Sequence, residues 1–191
     1  YSYLSLTAVR RIFEENGLIV FDVDELQTHG GSLRVYAQRV DSDQHPVAKN
    51  VADLQIIEDK AGISTIDYYQ GFQARAEKIK IDFLSFLVDM RQQGKRVAAY
   101  GAAAKGNTMM NFSGLRPDLI AYVADRNPSK HNKYMPGSRI PIVDEGVVNK
   151  DKPDFVVVLP WNLEDEVKRQ LDYIRAWGGQ FVIAVPKLRV V

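Results

Sequence analysis

Residues Arg96 to Thr108 read Arg-Val-Ala-Ala-Tyr-Gly-Ala-Ala-Ala-Lys-Gly-Asn-Thr, and they constrain the fold more than any other stretch. Val97 to Tyr100 suits a strand covered on both faces. Gly101 and the three alanines after it let the backbone bend and a ligand come close. Thr108 to Phe112 continues with helix-compatible residues. A strand that feeds a helix through such a turn leaves free N–H groups at the helix start. With the helix dipole, those groups suit a phosphate, and Lys105 adds a positive charge. The stretch is neither a Walker A loop nor GxGxxG. A tight turn that binds nothing therefore stands beside the phosphate reading.

The rest of the chain supplies the same rhythm. Leu119 to Ala124 reads as a strand ending at Asp125, and Phe155 to Leu159 as a strongly apolar strand turned by Pro160-Trp161-Asn162. Leu163 to Trp177 reads as a helix stopped by Gly178-Gly179, and Gln180 to Val185 as the last strong strand. Ile140 to Val143 fits a short edge strand or a loop. A long helix is expected from about Ile66 to Gln93, with Tyr69, Phe72, Ala76, Ile79, Phe83, Phe86, Leu87 and Met90 near a 3.6 period. Strands alternating with helices give an α/β fold: a Rossmann-like, mostly parallel sheet with flanking helices. Ligands bind beyond the carboxyl ends of such strands. Gly101, Lys105, Asp125, Trp161 and Asn162 all follow strands and are expected on one rim.

The opening residues differ. Leu4 to Asn16 reads as an amphipathic helix closed by Gly17, followed by a strand from Leu18 and a second from Ser32 to Arg39. Together they suggest an antiparallel pair behind a helix, too small to bury a core of its own. Asp41 to Pro46 is polar and reads as a linker, and Asn50 or Asp53 as the cap of a short helix. Three regions are thus expected: 1–40, a linker at 41–50, and 51–191. The chain begins at Tyr1 rather than Met and is expected to be a piece of something longer.

Composition narrows the functional classes. A net charge of +1 without a basic block argues against nucleic acid as the main partner. No run approaches the ~20 apolar residues of a membrane span. With no cysteine, disulfides and cysteine-held zinc are excluded within the chain, and the three histidines are scattered. No signal peptide is visible, so the expected location is cytoplasmic.

Several residues are candidates for chemistry. Asp125 stands where nucleotide-binding folds hold ribose hydroxyls, or else opens a loop. Trp161 is suited to stack on a ligand or to plug the sheet top, and Asn162 to bond a ligand or cap the next helix. His29, beside Gly30 and Gly31, is placed for general-base work or is a surface histidine. Arg34 is a candidate anion contact or an exposed strand arginine.

These words occur in a telling order: Tyr3-Leu4-Ser5-Leu6, His29-Gly30-Gly31-Ser32-Leu33-Arg34, Tyr100 to Thr108, Asp125-Arg126-Asn127-Pro128, Pro136-Gly137 and Leu159-Pro160-Trp161-Asn162. The chain resembles, over nearly its whole length, the C-terminal part of the SAM-dependent sugar C-methyltransferases. They include the enzymes that methylate C3 of a dTDP-4-keto-deoxysugar. The resemblance implies three parts: a zinc module, a SAM-binding Rossmann domain, and a second Rossmann-like domain. Residues 1–40 then match the closing helix and hairpin of the SAM domain, and residues 51–191 the substrate-handling domain.

The resemblance further implies a function. Zinc and SAM would belong to N-terminal domains of the same polypeptide, because this chain lacks the zinc cysteines and the acidic-Gly-x-Gly motif. His29 matches the base that removes the C3 proton of a keto sugar to give an enolate. The nucleotide end of the sugar nucleotide is expected at the rim of Gly101, Lys105, Asp125, Trp161 and Asn162. The chain alone is expected not to methylate. One departure is visible: where relatives commonly run Lys-Gln-Gly after the Asp125 word, this chain has Lys130-His131-Asn132, which leaves the sugar and nucleotide open. The competing expectations are a free-standing Rossmann domain that binds NAD or CoA, and a non-catalytic interaction domain.

Overall fold

The computed structural model describes residues 3–26, 28 and 31–191. Contacts divide the chain into two compact units, residues 1–72 and 73–191. Among the described residues, no helix is long and apolar enough to cross a membrane.

In the first unit, α1 (Leu6–Glu15) starts where Ser5 Oγ accepts the Ala8 N–H at 3.2 Å. It ends before Gly17, whose φ of +73° is the left-handed turn that follows many helices. β1 (Leu18–Leu26) and β2 (Ser32–Arg39) pair antiparallel, with an irregular register between Val20 and Asp22. At that irregularity the Phe21 carbonyl accepts the Ala48 N–H at 2.7 Å. α2 (Lys49–Ala61) follows. It begins after Ala48, which makes no side-chain cap, rather than at Asn50 or Asp53.

α2 completes a small core that the helix and hairpin could not form alone. Val51 and Leu54 of α2 are buried with Leu6, Val20 and Val23. Glu58 of α2 accepts the N–H groups of Leu6 and Thr7, each at 2.7 Å, and the Thr7 hydroxyl at 2.6 Å. A carboxylate at a helix N-terminus satisfies orphan donors and complements the dipole. The stretch expected as a linker, 41–50, therefore lies within the first compact unit, and the boundary falls at Phe72.

The helix expected over 66–93 is two. α3 (Ile66–Tyr69) and α4 (Phe72–Gln92) are parted at Gln70 and Gly71, where Gly71 has φ of +76°. Left-handed backbone cannot continue a right-handed helix. Tyr69 and Phe72, placed by period on the apolar face, are exposed, while Phe83 and Leu87 of α4 are buried.

The second unit is a seven-stranded sheet of β3 (Val97–Tyr100), β4 (Val123–Asp125), β5 (Lys133–Tyr134), β6 (Pro141–Asp144), β7 (Phe155–Val158), β8 (Gln180–Ile183) and β9 (Arg189–Val190). The spatial order is β5-β6-β4-β3-β7-β8-β9. The five central strands run parallel, and β5 and β9 join antiparallel at the edges. β6 is internal rather than an edge, because Lys133 and Tyr134 pair beside it. Three helices link the strands: α5 (Ala104–Phe112), α6 (Gly146–Asp151) and α7 (Glu164–Gln170). The helix expected to Trp177 changes to a short 3-10 turn over Asp172–Trp177.

Alternation along β3 divides the core. Val97 and Ala99 join Phe83, Leu87, Met110 and Leu115 on one face. Ala98 and Tyr100 join Val148, Val167 and Ile174 on the other. The strand order reverses at β3, which has β4 on one side and β7 on the other. In such sheets the crevice beyond β3 and β7 is where ligands collect.

Candidate functional site

The rim above that crevice is built from the turns after β3, β4 and β7. Gly101 has φ of +88°, and a Cβ placed on it would lie 2.5 Å from Pro160 Cδ. The glycine is thus required by the approach of the Pro160 ring. Gly106, on α5, is similarly closed upon: a Cβ there would meet Leu159 Cβ at 2.6 Å. The small residues of the Gly101–Gly106 word seat the β7 turn against the β3 turn.

Across this seam, Lys105 Nζ donates to Asn162 Oδ1 at 3.4 Å. Asn162 does not cap α7, since the N-cap position is Leu163 and carries no side-chain cap bond. Trp161 is half-buried and packs against both core clusters. α5 itself starts after Ala103, which offers no side-chain cap. Its first N–H groups therefore end at the rim beside Lys105.

Asp125 is the most heavily bonded group of the rim. It is 7% exposed. Oδ2 accepts the Ala102 N–H at 2.7 Å and Lys130 Nζ at 2.9 Å, while Oδ1 accepts the Asn127 N–H at 2.8 Å. Burial pushes this carboxyl up, but the bonds from Asn127, Lys130 and Ala102 outweigh it and leave it below the usual aspartate range. Lys130 also donates to the Ala102 carbonyl at 3.0 Å.

Lys130 and Asn127 were missed as site residues in the sequence. A signal was present in Asn127-Pro128: Asn127 Oδ1 accepts the Ser129 N–H at 3.0 Å and opens a 3-10 turn, Pro128–Lys130. That turn brings Lys130 back over Asp125. The departure at 131–132 also has a physical account. Asn132 has φ of +59°, and asparagine tolerates the left-handed conformation that glycine adopts most readily. His131 Nε2 lies 2.7 Å from the Asp125 carbonyl.

A second polar cluster lies under the rim on the face of α6 and α7. The Tyr100 hydroxyl donates to Glu145 Oε2 at 3.1 Å, and Gln170 Nε2 donates to both Glu145 and the tyrosine oxygen. Burial first, then the bond to Glu145, pushes the Tyr100 hydroxyl well up.

The remaining candidates belong to the first unit. Arg34 lies 3.7 Å from Asp24, which also accepts the Tyr36 hydroxyl at 2.7 Å. The Arg34 guanidinium thus has a carboxylate partner within its own hairpin. His29 lies outside the described residues. Among the described residues, no group of three or more His, Asp or Glu side chains stands ready for a metal.

A ribose diol is held best by a carboxylate with both oxygens available. Each Asp125 oxygen already holds a donor of its own chain, so this carboxylate does not fit the diol of a SAM adenosine.

A family model and a relative point to the same family. C-methyltransferase NovU of Streptomyces niveus is 33% identical over all 191 residues, which span 45% of NovU. The chain thus covers less than half the length of this relative. Among solved structures, UDP-D-quinovosamine 4-dehydrogenase from Vibrio fischeri matches 51% of this chain and 93% of its own, at a TM-score of 0.38 and 16% identity, too remote to carry a functional likeness. Residues 27–186 match the family described as the C-methyltransferase C-terminal domain. The chain belongs to the C-methyltransferase C-terminal domain family.

Proposed function

We propose that these residues form the C-terminal portion of a SAM-dependent C-methyltransferase acting on a nucleotide-linked keto sugar. The observation that carries this reading is the 33% identity to a C-methyltransferase along the entire chain. The SAM site and any zinc module are assigned to polypeptide outside these 191 residues, since the chain has neither an acidic-Gly-x-Gly motif nor a cysteine. The 191 residues alone bind no SAM and transfer no methyl group.

Two tasks fall to this chain. His29, in the His-Gly-Gly-Ser word, takes the proton from the carbon beside the ketone. The electron pair of the broken C–H bond then spreads onto the ketone oxygen as an enolate, whose carbon is the nucleophile for methylation. The rim of the second unit meets the diphosphate of the sugar nucleotide. Lys105 and the uncapped start of α5 supply the positive potential there.

The rim is tested by calorimetric titration of the 191-residue chain with dTDP, SAM and NAD. Binding of dTDP alone is expected, weakened about tenfold in Lys105→Met, the scale of one charge-assisted bond. Tight SAM or NAD binding would overturn the assignment of this unit to substrate. The base is tested in the enzyme that carries these residues, by exchange of the substrate's C3 hydrogen with deuterated water. His29→Asn should slow exchange about a hundredfold or more, the usual scale of general-base catalysis. Undiminished exchange removes His29 from that role.

A further inference from the structure

Asp125 occupies the end of the strand next to β3, the position from which Rossmann-like sheets read a ribose diol. In this chain the carboxylate is turned inward. A carboxylate offers about four acceptor sites. Oδ2 holds the Ala102 N–H and Lys130, and Oδ1 holds the Asn127 N–H. A diol needs both oxygens at once, and Oδ2 is filled. Lys130 is the one partner among these that is a side chain, and it is clamped a second time by the Ala102 carbonyl. The ion pair has 10% of the Asp125 side chain and 38% of the Lys130 side chain exposed. Lys130 therefore stands as the outer cover of the carboxylate, on the solvent side.

From this arrangement we infer that Lys130 is a specificity-determining residue. It blocks Asp125 from the ribose hydroxyls, so that the rim recognises a nucleoside diphosphate without reading its 2′-hydroxyl. The inference rests on the nucleotide reading proposed above. Ribonucleotides and deoxyribonucleotides of the same base should then bind alike. The phosphates carry recognition, through the start of α5 and Lys105.

The experiment compares UDP with dUDP, a pair that differs only at the 2′ position, on the wild-type chain and on Lys130→Met. Wild-type dissociation constants should agree within about threefold, less than one hydrogen bond is worth. In folded Lys130→Met, released Asp125 should favour UDP by about tenfold, the scale of a bond to a charged group. A tenfold UDP preference in the wild type overturns the inference while leaving the nucleotide reading intact. A ratio unchanged in the folded variant overturns the role of Lys130. Failure of both nucleotides to bind the wild type overturns the nucleotide reading and the inference with it. Should Lys130→Met not fold, the wild-type ratio decides.

Discussion

Asp125 shows how a single residue type can promise one role and perform another. Its carboxylate ends the strand from which Rossmann-like sheets hold a ligand's hydroxyls, and three donors of its own chain bond to it. Its carboxyl titrates below the 3.8 of an unperturbed aspartate. The stabilisation it contributes is therefore present above that value and is lost as pH falls through it towards the folded-state value. Asp125→Asn should cost about 2 kcal/mol at neutral pH, the scale of bonds to a buried charged acceptor. That cost should shrink as pH falls below 3.8, where the unfolded carboxylate takes up its proton before the folded one, although Asp154 and Glu164, lowered in the same direction, add their own acid lability. Urea denaturation of both proteins across this range reads the difference. An equal gap at pH 7 and pH 3 would show that charge plays no part. The sequence made Asp125, Gly101, Lys105, Trp161 and Asn162 legible as rim candidates, because each stands at or shortly after the carboxyl end of an apolar strand. It could not show that Pro160 fills the space above Gly101 or that Lys130 covers Asp125. Both depend on contacts between turns far apart in the chain.

At the scale of elements, what could be read was what repeats locally. β3, β7 and β8 are short apolar runs bounded by turn residues, and they appear where that pattern put them. α1 has both its stop signal at Gly17 and a serine cap. Errors came where periodicity continued through a break. Tyr69 and Phe72 keep the helical spacing of Phe83 and Leu87, yet Gly71 in a left-handed conformation parts α3 from α4. A glycine inside a periodic run costs a helix only about 1 kcal/mol, so its identity alone does not reveal the break. β4 is shorter than its apolar run because Leu119 to Tyr122 lie outside the strand, with Ile120 and Tyr122 still buried. The role of α2 was hidden for a different reason. Its two buried side chains, Val51 and Leu54, and Glu58 at its far end find partners on β1 and α1, across the polar stretch that reads as a linker. Nothing within α2 announces those partners.

The molecule as a whole joins two units with very unequal cores. Among the described residues, the first buries five apolar side chains, Leu6, Val20, Val23, Val51 and Leu54, beside a two-stranded hairpin. The second buries both faces of a seven-stranded sheet. Apolar burial contributes roughly 25 cal/mol per Å², so the stabilisation available to each unit follows the size of its core. A two-stranded hairpin is marginal without a packed partner, and here the partners are α1 and α2, tied by Glu58. The two units should therefore open at different free energies rather than as one cooperative block. Native-state hydrogen exchange in low urea resolves this. Amides of β1, β2 and α2 should exchange through an opening of lower free energy than those of β3, β7 and β8, by about 2 kcal/mol or more. Val51→Ala should lower the protection of the first group by about 1–3 kcal/mol, the range for truncating a buried aliphatic side chain, and leave the second group unmoved. Equal protection in both groups, or a loss spread over both in Val51→Ala, would mean that the units open together.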